Sequence, residues 1–142
     1  GETFEMALKT LELNKIIKPA FGNCSIFTPY PKLGLTDYAI KHGYFDGDFD
    51  KITENYFDTS ILKFKKPEDK NRILNLRYFF STIIASPILE KPLVFLTRFK
   101  VNPFFSLYGQ LADGYLLFRA TPFSFTISNL IKTTFSFIMR RR

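Results

Sequence analysis

The 142 residues fit one domain, or a small one with a helical extension, and exclude a two-domain enzyme. With 46% apolar and 23% charged residues the chain can bury a core, but one Cys and one His cannot by themselves build a zinc site, a disulfide framework or an iron–sulfur cluster. The formal charge of +7 is unevenly placed, with nine acids against six lysines in residues 1–62 and four acids against fourteen Lys or Arg in residues 63–142.

Gly1, Glu2 and Thr3 run straight into helix-like sequence with no initiator Met, basic n-region or apolar h-region, so the chain is expected to be a piece of a longer protein. Residues 3–18 read as an amphipathic helix, with Thr3 as cap, Phe4, Ala7, Leu8, Leu11 and Ile16 on one face, and Pro19 as the stop. Asn23 to Thr28, bounded by Gly22 and Pro29, fits a short buried strand. Pro29, Tyr30, Pro31, Lys32, Leu33, Gly34 is a turn-rich loop, and Leu35 to His42 a second short helix closed by Gly43. Residues 44–64 interleave aromatics with acids and read as an ordered loop ending in a short strand at Ser60 to Phe64.

From Pro67 the pattern turns helical. Pro67, Glu68 and Asp69 suit a first turn, and Ile73, Leu76, Phe80, Ile83 and Ile84 form a face that Pro87 ends. A shorter helix is expected from Pro92 to Phe99. Asn102 and Pro103 open another that runs through Phe104, Leu107, Tyr108, Leu111, Tyr115 and Phe118, where Gly109 and Gly114 point to close helix packing. Thr126 suits the cap of a last helix, Ile127 to Arg140, with Arg140, Arg141 and Arg142 at its negative dipole end. The longest charge-free run, Pro19 to Pro31, is thirteen residues and broken by prolines, short of the roughly 18 apolar residues a membrane span needs.

Candidate chemistry is sparse. Asp46, Gly47, Asp48, Phe49, Asp50 imitates the opening of a calcium loop, yet Lys51 stands where Gly is needed and Phe57 where a bidentate Glu is needed. Cys24 reads as a small buried residue, His42 as a capping or surface residue, and Asn23, Cys24, Ser25 as an accidental glycosylation triplet. The basic, Phe-rich half lacks any RNP pattern, GXXG loop or helix-turn-helix context, so nucleic acid is not an expected partner. The last helix, with Phe135, Phe137, Ile138 and three arginines, suits an anionic membrane surface.

The order of these pieces resembles a known family. Glu2 with the helix to Lys18, then Ser25, Ile26, Phe27, Thr28, Pro29, Tyr30, Pro31, then Tyr44, Phe45, Asp46 match the C-terminal part of the cobalamin-binding-domain radical S-adenosylmethionine proteins. That group includes anaerobic magnesium-protoporphyrin monomethyl ester cyclase-like enzymes. Ile73, Leu74, Asn75, Leu76, then Pro92, Leu93, then Asn102, Pro103, Phe104, Phe105, then Gly114, Tyr115 resemble the family's helical extension, so the likeness runs essentially end to end.

The resemblance implies a mainly α chain with a small α/β remnant. Residues 1–64 would be the last βα portion of a partial TIM barrel, with Asn23 to Pro31 as its sixth strand, and residues 65–142 a helical C-terminal extension. It implies a parent enzyme of methyltransferase or cyclase type that binds a 4Fe-4S cluster, S-adenosylmethionine and cobalamin. Within the chain it implies Glu2 as a contact to S-adenosylmethionine and Pro29, Tyr30 and Pro31 as a substrate-side loop. The family's CxxxCxxC is absent and Cys24 cannot replace it, so the chain is expected to bind none of these cofactors alone and to be inactive without the N-terminal domains of its own protein. A cytoplasmic location, peripheral at a membrane, goes with this reading. The competing expectation is a non-enzymatic helical module that docks on a protein partner or an anionic membrane surface.

Overall fold

The computed structural model describes residues 2–52 and 60–121, and these are mainly helical. Five α-helices follow one another: α1 (Phe4–Ile17), α2 (Gly34–Lys41), α3 (Pro67–Ala85), α4 (Glu90–Leu96) and α5 (Pro103–Ala120). Single 3-10 turns stand at Phe49–Lys51 and Pro87–Leu89.

Local chemistry sets the helix ends. The Met6 N–H donates to Thr3 Oγ1 at 3.3 Å, which satisfies one of the free amides opening α1. Its far end stops at Lys18, whose φ of 52° lies in the left-handed region, and Pro19 prevents continuation. Asn102 Oδ1 accepts from Phe105 N–H at 3.1 Å, and Pro103 takes the first helical position of α5.

Helices α1, α4 and α5 are arranged around α3, and Ile73, Leu76, Tyr78, Phe79, Phe80 and Ile83 are all buried on it. Burial on nearly every side explains why α3 lacks a clean polar face. Phe4, Ala7 and Leu11 of α1 complete the same core, so residues from both sides of position 64 share it. The Arg72 guanidinium lies 3.6 Å from the Phe4 ring centre, and Lys15 Nζ reaches Glu90 at 2.5 Å, tying α1 to α4.

The crossing of α3 and α5 depends on Gly109. A Cβ there would stand 3.0 Å from Tyr78 Cβ and 3.1 Å from its Cα, so only glycine lets the two backbones approach this closely. Phe79 then packs edge-on against Phe105 at 5.1 Å between ring centres, Ser81 donates to Asp113, and Tyr108 donates to Thr82 Oγ1 at 3.0 Å. Gly114 is exposed and has no such neighbour, so of the two glycines only Gly109 serves close packing.

Several expectations need correction. No strand forms among the described residues: Asn23 to Thr28 is extended but has no ladder, because no other described segment pairs its backbone. Among the described residues Ser60 to Phe64 makes one backbone-to-backbone bond, Lys63 N–H to Tyr44 O at 2.7 Å, too little for a strand. The helix expected from Pro92 begins at Glu90 and ends at Leu96. Pro92 sits within its first turn, where its missing N–H has no helical acceptor to lose. Ile16, placed on the apolar face of α1, is exposed. The expected helix Ile127 to Arg140 lies outside the described residues.

Candidate functional site

The start of α1, the extended segment after it and α2 leave a cleft of about 410 Å³ between them. Its walls are apolar, with Met6 from α1, Ile26 and Phe27 from the extended segment, Leu35 from α2, and Tyr44 and Phe64 closing the remaining side. Glu2 and Lys63 are its charged lining residues. Such a recess, apolar with few polar groups, is the usual form of a small-molecule site.

Glu2 is positioned by the residues that start α1, since it immediately precedes the capping Thr3. It also borders a second cavity of about 100 Å³, shared with Cys24, Ser25 and Arg77. Although Glu2 is solvent-accessible as a residue, partial burial of its carboxyl raises its pKa above the ordinary carboxylate value. The Cys24 thiol is pushed up to about 12, mainly by burial, against a smaller opposing pull from the Arg77 charge. A thiol so strongly protonated is neither a nucleophile nor a ready metal ligand near neutral pH.

The four residues implied as site residues do not converge. Glu2 borders the cleft, whereas Pro29, Tyr30 and Pro31 line neither cavity. Pro29 is fully buried, and Tyr30 and Pro31 are exposed at the turn that leads to Lys32, itself at a φ of 67°. Ile26 and Phe27, two and three residues before Pro29, are the members of that segment that reach the cleft.

The acidic loop is committed to its own fold. Lys51 Nζ lies 2.6 Å from Asp46 and 3.2 Å from Asp48, and their carboxylates also accept from the Asp48 and Asp50 N–H groups. The Lys51 ammonium, foremost, holds the Asp46 carboxyl below its ordinary pKa. Lys51 thus occupies the charge-neutralising place that a cation would take. His42 follows α2 and meets Tyr38 in a tilted ring pair, 4.1 Å between ring centres, a surface aromatic contact.

A polar arrangement on α3 carried no motif. Asn71 and Asn75, one turn apart, both turn their Nδ2 groups on the carbonyls of Thr97 and Phe99, and Val101 N–H returns a bond of 3.0 Å to Asn71 Oδ1. Two asparagines four residues apart inside a helix are the available signal, because Asn is an unfavourable helix former and buried Asn needs partners.

No group of three His, Cys, Asp or Glu side chains able to hold a metal ion exists among the described residues, and the whole chain has one Cys. The donor set therefore does not fit a cluster held by three thiolates. Among the described residues no helix is long and apolar enough to cross a membrane. No family model, curated protein or solved structure matches the chain.

Proposed function

We propose that this chain is the C-terminal portion of a cobalamin-dependent radical S-adenosylmethionine enzyme, of methyltransferase or cyclase type, and is inactive by itself. One observation carries the reading beyond the resemblance of its residues. Directly after α1, residues 22–30 run extended, are held on the core by buried Gly22 against Ile84, and make no backbone-to-backbone hydrogen bond to any other described segment. Unpaired N–H and C=O groups in a row are the state of a strand apart from its neighbour.

In this reading the segment is the sixth strand of a partial barrel, α1 is the helix that precedes it, and the strand's missing partner belongs to the N-terminal domains of the same protein. Loops after barrel strands face the reaction centre. Glu2 would then bear on S-adenosylmethionine and Pro29, Tyr30 and Pro31 on the substrate side, with the apolar cleft behind them. The chain's own part is to complete a wall and close it with helices. The cluster ligands must come from the rest of the protein, so no chemical step is assigned to residues of this chain.

The test compares amide exchange in this chain alone with exchange in the protein read from the longer reading frame. That frame is expected to encode CxxxCxxC upstream, its product to cleave S-adenosylmethionine under anaerobic reducing conditions, and residues 23–28 to exchange at least about a hundredfold more slowly there than in this chain. A frame without those cysteines, or equally fast exchange in both proteins, overturns the proposal.

A further inference from the structure

The helix α5 has two apolar sides, and among the described residues one of them packs against α3. Phe105 and Gly109 turn toward α3, where the backbones meet. Phe104, Leu107, Leu111 and Tyr115 recur at intervals of three and four residues and so fall on one side of the helix, with Tyr108 at its edge. All are exposed, with Phe104 at 79%, Leu111 at 66% and Tyr115 at 61%. At about 1.5 Å of rise per residue, the ridge from Phe104 to Tyr115 is about 16 Å long. An apolar ridge of this size on a protein surface marks an interaction site.

Charge identifies the occupant. The described chain from Glu90 to Thr121 holds four cations, Lys91, Arg98, Lys100 and Arg119, and all four are exposed. Its two acids are half-buried and engaged with the core, Glu90 with Lys15 and Asp113 with Ser81. Arg98 and Lys100 stand just before α5 and Arg119 in its last turn, so cations frame the ridge at both ends. The Arg119 guanidinium lies 5.8 Å from the Tyr115 ring centre, placing charge beside an exposed aromatic. The sequence after Thr121 adds Lys132, Arg140, Arg141 and Arg142 without a single acid.

We propose that the outer face of α5 is a peripheral docking surface for an anionic lipid bilayer. A single exposed helix side is a convex ridge, which a deformable lipid surface accepts without a matching groove. Rings and leucines enter the boundary between headgroups and acyl chains, while Arg98, Lys100 and Arg119 stay among the phosphates. This assignment rests on exposure and charge and stands independently of the enzymatic reading above.

The full 142-residue chain is sedimented with vesicles of phosphatidylcholine, with or without phosphatidylglycerol. The chain is expected to pellet with the anionic vesicles, to stay in solution with the neutral ones, and to lose most binding when salt rises from about 0.1 to about 1 M, as the Debye length shrinks from about 10 to about 3 Å. The double variant L111E/Y115E is expected to weaken binding at least tenfold with its melting temperature unchanged. Because the chain has no Trp, Leu111→Trp supplies a single reporter whose emission shifts to the blue with anionic vesicles only. Absence of pelleting, an unshifted emission, or undiminished binding by the double variant overturns the proposal. So does a fall in melting temperature or the dissociation of a dimer in L111E/Y115E, since either shows protein covering the ridge.

Discussion

The helices around α3 and the stretch that runs extended after α1 are built from similar residues but held by different means. In the helical part the backbone is paired within each helix except at its ends, and apolar side chains from α1, α3 and α5 meet in one core. Residues 22–30 carry Cys24, Ile26 and Phe27 in an equally apolar run, yet that stretch leans on the core through Gly22 and its side chains, with no backbone bond to another described segment. Apolar sequence is therefore enough to place a segment on a core, while a helix supplies its own hydrogen bonds and a strand must borrow them. Among the described residues only the first kind of segment has its backbone paired.

Substitutions at matched rings should show the contrast most strongly. Phe79→Ala, at a ring that is 2% exposed between α3 and α5, is expected to cost about 3 to 5 kcal/mol in urea unfolding. Phe27→Ala, at a half-buried ring on the cleft, is expected to cost about 1 kcal/mol or less. Equal costs would mean that the extended stretch is as well packed as the helices.

Alkaline titration probes the same boundary through Cys24. Its folded pKa is raised to about 12, so the folded state holds the proton more tightly than the unfolded chain. The stability this contributes is fully present below the unfolded pKa of about 8.5 and is lost at about 1.4 kcal/mol per pH unit as the pH rises toward 12. Cys24→Ala should flatten that decline, and in the wild type a thiol reagent at about pH 8 should react at least tenfold faster in urea than in buffer. Fast reaction in buffer would show that the segment lifts off the core readily.

The glycines of α5 provide the smallest and sharpest comparison. Gly109→Ala must push against the backbone of Tyr78 and is expected to destabilise by about 1 to 2 kcal/mol despite the better helix propensity of alanine. Gly114→Ala meets nothing within 4 Å and is expected to stabilise by about 0.5 to 1 kcal/mol. If both changes stabilise, the two helices have slack where they cross.

The helices were legible in the amino-acid order wherever a start signal is local. Thr3, Pro67 and the Asn102–Pro103 pair act within one turn, and α1, α3 and α5 begin where they predict. Which side of α5 is buried was not legible, because Phe104, Leu107 and Leu111 have the period of a core face, and the actual contact is selected by the absence of a side chain at Gly109. The run at Asn23 to Thr28 carries the composition of a strand, but pairing is a property of two segments, and no described segment pairs with it. At the cleft, no local signal in the amino-acid order brings Glu2, Leu35, Tyr44 and Phe64 together, since they are far apart in the chain and meet only through the fold.

The paired amides of Asn71 and Asn75 have a mechanical consequence. A helix as short as α4 has little rigidity of its own, and the turn from Thr97 to Val101 ought to behave as a pivot. By gripping the carbonyls of Thr97 and Phe99 and the amide of Val101, α3 splints that pivot along its own length. Load applied to α5 is thus delivered to the longest of the described helices instead of being dissipated at the joint.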